Sequence, residues 1–325
     1  FGQGAIRCHP WVLKELEAKD NNDAKAFDKA IFGHIGMAAG NVARSLTAAL
    51  GIPTGETPFY GDAGRYARAV NRFSASFSLL ADVAMGTLGG GLKQREMLSA
   101  RLGDVLSNLY MTSMVLKEWH EGTKVAGEEA LMRYSCEFLL HRAEIAIDEI
   151  LDNLPNRPVA IAVRPIVLPL GKRWPMPSDK LVARIARDVS TDTPLRSHLI
   201  EDTWQTHEEG QQENPLARYN ALLKDNDRAT ELYKLVNKAY AKGQLPATAL
   251  HPEPRAEEAL KAELISEADY TFMVAYEADV LDMLTVDDFA FDELARNKSK
   301  IVWHNGRSKA KRKAAPKKTE AATDE

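Results

Sequence analysis

The sequence predicts an all-α protein: a long-helix up-down bundle, then a second, proline-interrupted helical section, and last a disordered basic tail. Three observations carry this reading. Apolar residues recur at intervals of three and four through four stretches of roughly 20 to 28 residues, which is the helical period. No convincing period-two strand, Asn-Gly hairpin signal or internal repeat interrupts them. Prolines gather after Leu154, at Pro155, Pro158, Pro165, Pro169, Pro175 and Pro177, where regular helix becomes costly. With 45% hydrophobic residues over 325 positions, the chain can bury a core of about two domains, which excludes wholesale disorder.

The elements follow in order. Pro10 suits a first helical turn, and Trp11 to Lys19 reads as a short helix that stops at Asp20, Asn21, Asn22 and Asp23. Phe27, Ile31, Ile35, Ala38, Val42, Leu46 and Leu50 mark the first long helix. Gly33, Gly36, Ala38, Ala39 and Gly40 form a small-residue patch that weakens helix propensity but predicts a close helix crossing. After a turn-rich stretch from Gly51 to Gly64, Tyr66, Val70, Phe73, Phe77, Leu80 and Ala84 mark the second, with a break or bend expected at Gly89, Gly90 and Gly91. Leu98, Leu102, Val105, Leu109 and Trp119 mark the third, which stops near Gly122. Ala130, Tyr134, Phe138, Ile147, Ile150 and Leu154 mark the fourth. Mostly short connections then predict antiparallel neighbours.

Beyond Pro155 the apolar run Val159 to Leu170 carries too many prolines for one regular helix and forms a boundary or cap. Ser178 caps a helix through Asp188, and Pro194 opens another behind Asp192 and Thr193. Thr203 to Asn214 is a polar loop, Pro215 starts a helix to about Lys242, and Ser266 with Asp269 resembles a capping box ahead of Tyr270 to Leu284.

Charge and cysteine content narrow the function. Cys8 and Cys136 lack CxxC spacing, which argues against a disulfide framework or zinc site and for a reducing compartment, the cytoplasm. The longest strongly apolar run is too short for the roughly 20 residues of a membrane span. The net charge of −4 divides into +7 from Arg296 onward and −11 before it, so basic character belongs to the tail. That tail could meet phosphates of lipid or nucleic acid, but its one aromatic, Trp303, supplies little base stacking. A solvated tail is the default, a lipid surface comes next and nucleic acid last.

Candidate chemistry is sparse. A carboxylate-bridged metal site in a bundle needs Glu-x-x-His pairs, and there are none, so no metal is expected. His141, Glu144 and Asp148 share one helix face near Cys136, which reads as a surface ion pair. Gly86 to Gly91 with Lys93 lacks the preceding strand and Gly-Lys-Ser/Thr of a phosphate loop, and reads as a helix kink or close packing. No Gly-x-Ser-x-Gly elbow exists. No catalytic residue is assigned, and cofactor-binding residues stay unknown.

Phe1-Gly-Gln-Gly-Ala-Ile-Arg-Cys-His-Pro10, Leu98-Ser-Ala-Arg-Leu-Gly-Asp-Val-Leu106, Pro177-Ser-Asp-Lys-Leu181, and Thr285-Val-Asp-Asp-Phe289 with Glu293-Leu294 occur in the order found in the C-terminal region of large bacterial long-chain acyl-CoA dehydrogenases. The chain resembles that family to about residue 297. The resemblance implies an FAD enzyme of fatty-acid β-oxidation that turns acyl-CoA into trans-2-enoyl-CoA. A glutamate takes a proton from Cα while hydride leaves Cβ for the flavin, and that glutamate lies upstream of Phe1. The chain, which opens without an initiator methionine, then reads as a fragment inactive by itself. Residues 1–20 end the catalytic core, 21–155 form a four-helix bundle, 156–296 a second helical section of an accessory domain, and 297–325 the tail. Partners implied are the acyl-CoA, an electron acceptor and a second subunit, with peripheral inner-membrane contact as a further option. The rival readings are a free-standing interaction bundle without enzymatic activity, and a nucleic-acid-associated protein using the tail.

Overall fold

In a computed structural model the chain is described at residue 4 and over residues 7–52, 55–204, 214–249 and 251–286. Among these residues there are helices and no strands. We number the helices α1 Val12–Asp20, α2 Ala24–Ala49, α3 Gly61–Leu88, α4 Glu96–Glu121, α5 Glu128–Asn153, α6 Arg157–Val167, α7 Asp179–Ser190, α8 Pro194–Ile200, α9 Pro215–Ala241, α10 Pro252–Lys261 and α11 Glu267–Leu284. The basic tail, the greater part of the polar loop after Thr203 and the Asp287 to Leu294 motif lie outside the described residues.

Two compact units divide the chain at Thr230, within α9. In the first, α3 is central and packs on α2, α4 and α5, while α4 and α5 make the most extensive pair. Tyr66, Phe73 and Leu80 of α3 meet Leu102 and Val105 of α4 and Leu140, Ile147 and Leu151 of α5 in one fully buried cluster. Residues 61–94, α3 with the 3-10 turn that follows, are long and apolar enough to span a membrane. Its buried residues, Tyr66, Phe73, Leu80 and Ala84 among them, belong to that cluster, which accounts for part of its apolar content.

Cys136 sits in the same core with no exposed surface. Burial, with the Glu137 carboxylate adding to it, pushes its thiol up to about 12. Cys8 is exposed. A colorimetric thiol reagent is expected to titrate one cysteine in the native chain and two after denaturation; two reactive thiols under native conditions would contradict this packing.

The segment after Leu154 departs from expectation. A helix, α6, runs through Pro158 and Pro165 and packs on both α2 and α5, bridging them across the bundle. Asn156 caps it by accepting from the Val159 N–H at 3.3 Å, and Pro158 lies in the first turn, where no intrahelical donor is lost. Pro165 comes late enough that the helix ends two residues beyond it. The buried stripe Ala160, Val163 and Val167 has the helical spacing that the prolines obscured.

The glycines also sort differently. A Cβ at Gly33 would stand 2.5 Å from the Trp11 indole, so this residue admits α1 against α2, but Gly36 and Gly40 have open space beside them. The expected close crossing is therefore confined to one position. Gly89 has φ +49°, which turns α3 into the 3-10 segment, while Gly86, Gly90 and Gly91 meet no neighbour within 4 Å; a chain break, not close packing, accounts for the run.

His141, Glu144 and Asp148 do share a face of α5, but it is not a surface ion pair. Glu144 is 1% exposed, and its Oε2 accepts from the backbone N–H groups of Arg173 and Trp174, each at 2.8 Å. His141 Nδ1 donates to the Trp174 carbonyl at 2.7 Å, and Asp148 pairs with Arg164 and Lys172. This face clamps α6 and the loop behind it. Burial acts against the Asp148 carboxylate, but Lys172 and Arg164 outweigh it and hold its pKa below the usual range.

α7 is capped as anticipated, by Ser178 accepting from the Leu181 N–H, and α8 opens at Pro194 with Thr193 accepting from the Arg196 N–H. In the second unit Val236, Ala239, Leu245, Ala256, Ala259, Ile265 and Met273 form a separate core. Ser266 caps α11 by accepting from the Asp269 N–H while its hydroxyl donates to the Asp269 carboxylate.

Candidate functional site

α1 folds back on α2, which brings residues before α1 to the side of α3. There, a cleft of about 520 Å³ opens between Cys8, His9 and Pro10 and the apolar side chains Met37, Phe77, Met85 and Leu106. Its polar groups converge at one end. His9 Nδ1 accepts from the backbone N–H groups of Trp11 at 3.2 Å and Val12 at 3.0 Å, which have no intrahelical acceptor at the start of α1. Its proton is therefore on Nε2, which donates to Asp82 Oδ1 at 3.1 Å. His34 stacks obliquely on His9, with ring centres 4.5 Å apart, and turns Nδ1 to Glu15 Oε1 at 2.8 Å and Nε2 toward Asp82 Oδ1 at 3.8 Å. Two imidazoles and two carboxylates thus form one chain, Glu15, His34, Asp82, His9.

Asp82 Oδ2 is buried without a partner among the described residues. Burial raises the Asp82 pKa, and His9 and His34 act against that rise. A carboxyl raised by folding contributes stability that is fully present below its unfolded pKa, about 3.9, and is lost as pH rises through the folded value. Asp82→Asn keeps an oxygen for His9 and removes the titration. Relative to the parent, it should therefore be more stable at neutral pH than at about pH 4 in chemical denaturation. An unchanged difference across that range would show that Asp82 titrates as in the unfolded chain.

Ligand atoms of His9, His34 and Asp82 lie within 4.8 Å of one another. A metal ion would need His9 Nε2 unprotonated, moving the proton to Nδ1, where it would face the Trp11 and Val12 N–H groups. The hydrogen bonds as they stand therefore hold His9 as a link between the start of α1 and Asp82 of α3, at the polar side of an otherwise apolar cleft. Nothing in the sequence points to it, because its members are 19 and 73 residues apart and none forms a spaced motif.

The apolar surface continues outside the cleft. On α1 and α2, Leu13, Leu16, Phe27, Phe32 and Ile35 are exposed, Phe32 at 73%. On α4, Leu106, Tyr110, Met111 and Met114 are exposed as well. Large apolar side chains are thus exposed on three helices of this unit.

A family model described as acyl-CoA dehydrogenase, C-terminal, bacterial type, matches residues 6–289. No solved structure shows significant similarity to the chain.

Proposed function

The chain belongs to the bacterial-type acyl-CoA dehydrogenase C-terminal family, and from that membership we propose that it is the accessory portion of a flavoenzyme that oxidises acyl-CoA to trans-2-enoyl-CoA in fatty-acid β-oxidation. The family match over most of the chain carries the reading. The catalytic glutamate belongs upstream of Phe1 in this proposal, and the acyl-CoA and electron acceptor are met by the larger protein, a homodimer in the cytoplasm or at the inner membrane. The cleft does not fit FAD, since its lining is mostly apolar and includes no arginine or lysine to meet a pyrophosphate. No step of the reaction is assigned to residues of this chain.

Its role is structural support. The apolar surface of α1, α2 and α4 seats against the catalytic core, with the cleft beside Cys8 at its edge. A protein extended at its N-terminus through the native gene should bind flavin and reduce a dye with acyl-CoA, while the 325 residues alone should do neither. Cys8 should react freely in the 325-residue chain and at least roughly tenfold more slowly in the longer one. No flavin in either protein would defeat the enzymatic reading and leave an interaction bundle. Flavin with Cys8 equally reactive in both would defeat the docking.

A further inference from the structure

Arg65, Arg68 and Arg72 follow one another on α3 at intervals of three and four, and so share a face. Arg173, in the loop clamped by Glu144, reaches the same place. With Gly51 and Trp174 among its other lining residues, they bound an open cavity of about 250 Å³ with no acidic residue in its wall. The chain carries net charge −4, so four cations around one cavity are not a consequence of composition. None of Arg65, Arg68 and Arg173 is in a salt bridge with a described residue.

The group is built, not loosely gathered. Arg72 is 7% exposed, donates from Nη2 to the Val167 carbonyl at 3.3 Å, and leaves buried Nε without a partner among the described residues. Arg65 lies over the Trp174 ring at 5.0 Å, which fixes its plane. Burial lowers the Arg72 pKa, Glu144 opposes that, and the neighbouring Arg173 lowers it further. Glu144 is already engaged by two backbone N–H groups and balances one guanidinium of the four. Like charges held this close are stabilised by a counter-anion, and planar guanidinium forks match the oxygens of a phosphate.

We infer that this cavity binds a phosphate-bearing anion, a phosphomonoester or diphosphate. The inference stands apart from the proposed enzymatic role, since it uses neither flavin nor turnover. The phosphate can come from a soluble nucleotide or a lipid headgroup, and the test separates them. Sodium pyrophosphate added to the full 325-residue chain, against sodium chloride at matched ionic strength, should raise the melting temperature by roughly 5 °C. The gain should shrink as salt is added. Arg68→Gln with Arg173→Gln, both at exposed positions, should fold normally and lose the gain, whereas Arg101→Gln on another face should keep it. Competition of pyrophosphate by adenosine diphosphate would assign a nucleotide source. Flotation on phosphatidylglycerol vesicles but not phosphatidylcholine ones, lost in the double variant, would assign a headgroup. No rise with pyrophosphate, or an equal rise in the double variant, would overturn the site.

Discussion

Glu144→Ala is expected to lower the melting temperature of the chain by roughly 10 °C, with Glu144→Gln falling about half as far. The carboxylate is 1% exposed and carries two charge-assisted hydrogen bonds from the N–H groups of Arg173 and Trp174. Removing it strands the buried Trp174 N–H at a cost of about 1–3 kcal/mol, frees the part-buried Arg173 N–H, and deprives buried Arg72 of its compensating charge. A total of about 3–4 kcal/mol follows, and in a domain of this size each kcal/mol corresponds to roughly 2–4 °C. Glutamine retains an oxygen that can accept from the loop but cannot offset Arg72, hence the intermediate loss. Circular dichroism melts of the three proteins decide it. An alanine variant within a degree of the parent would mean that the 171–174 loop is held by Trp174 packing alone.

That carboxylate also shows where sequence reading stops. The helical spacing of the apolar stripes located α2, α3, α4 and α5 to within a few residues, because each stripe is a property of one helix. Ser178 and Ser266 were legible as caps for the same reason: a cap acts on donors two or three residues away. Shared faces were equally legible, and His141, Glu144 and Asp148 do lie together. Their environment was not, since it depends on a loop 29 residues downstream folding over them. The same holds for the cleft, where His9 meets Asp82 only because α1 reverses onto α2. α6 was missed for a different reason. Proline frequency argued against helix, while the positions of Pro158 in a first turn and Pro165 near the end left enough of the hydrogen-bond ladder intact. The family resemblance, by contrast, rested on ordered segments spread from residue 1 to about 297, and the family model matches residues 6–289.

Phe73→Ala is expected to cost about 3–5 kcal/mol, a fall of roughly 10–15 °C in melting temperature, and Phe73→Leu about 1–2 kcal/mol. The ring has no exposed surface and sits in the cluster where α3 meets its neighbours, so truncation opens a cavity that four packed helices cannot readily close. It also lies beneath Arg72, whose guanidinium is 4.8 Å from the ring centre. Leucine keeps most of the volume but offers no π face, so it separates the two roles. If the ring serves only packing, Phe73→Leu should lose a few degrees and respond to pyrophosphate like the parent. If it also orients Arg72 toward the arginine cavity, the same variant should lose most of the pyrophosphate gain while unfolding as cooperatively as before. We expect the second result, because the Nε of Arg72 has no described protein partner and the single hydrogen bond from Nη2 to the Val167 carbonyl leaves the guanidinium free to turn unless the ring face also holds it.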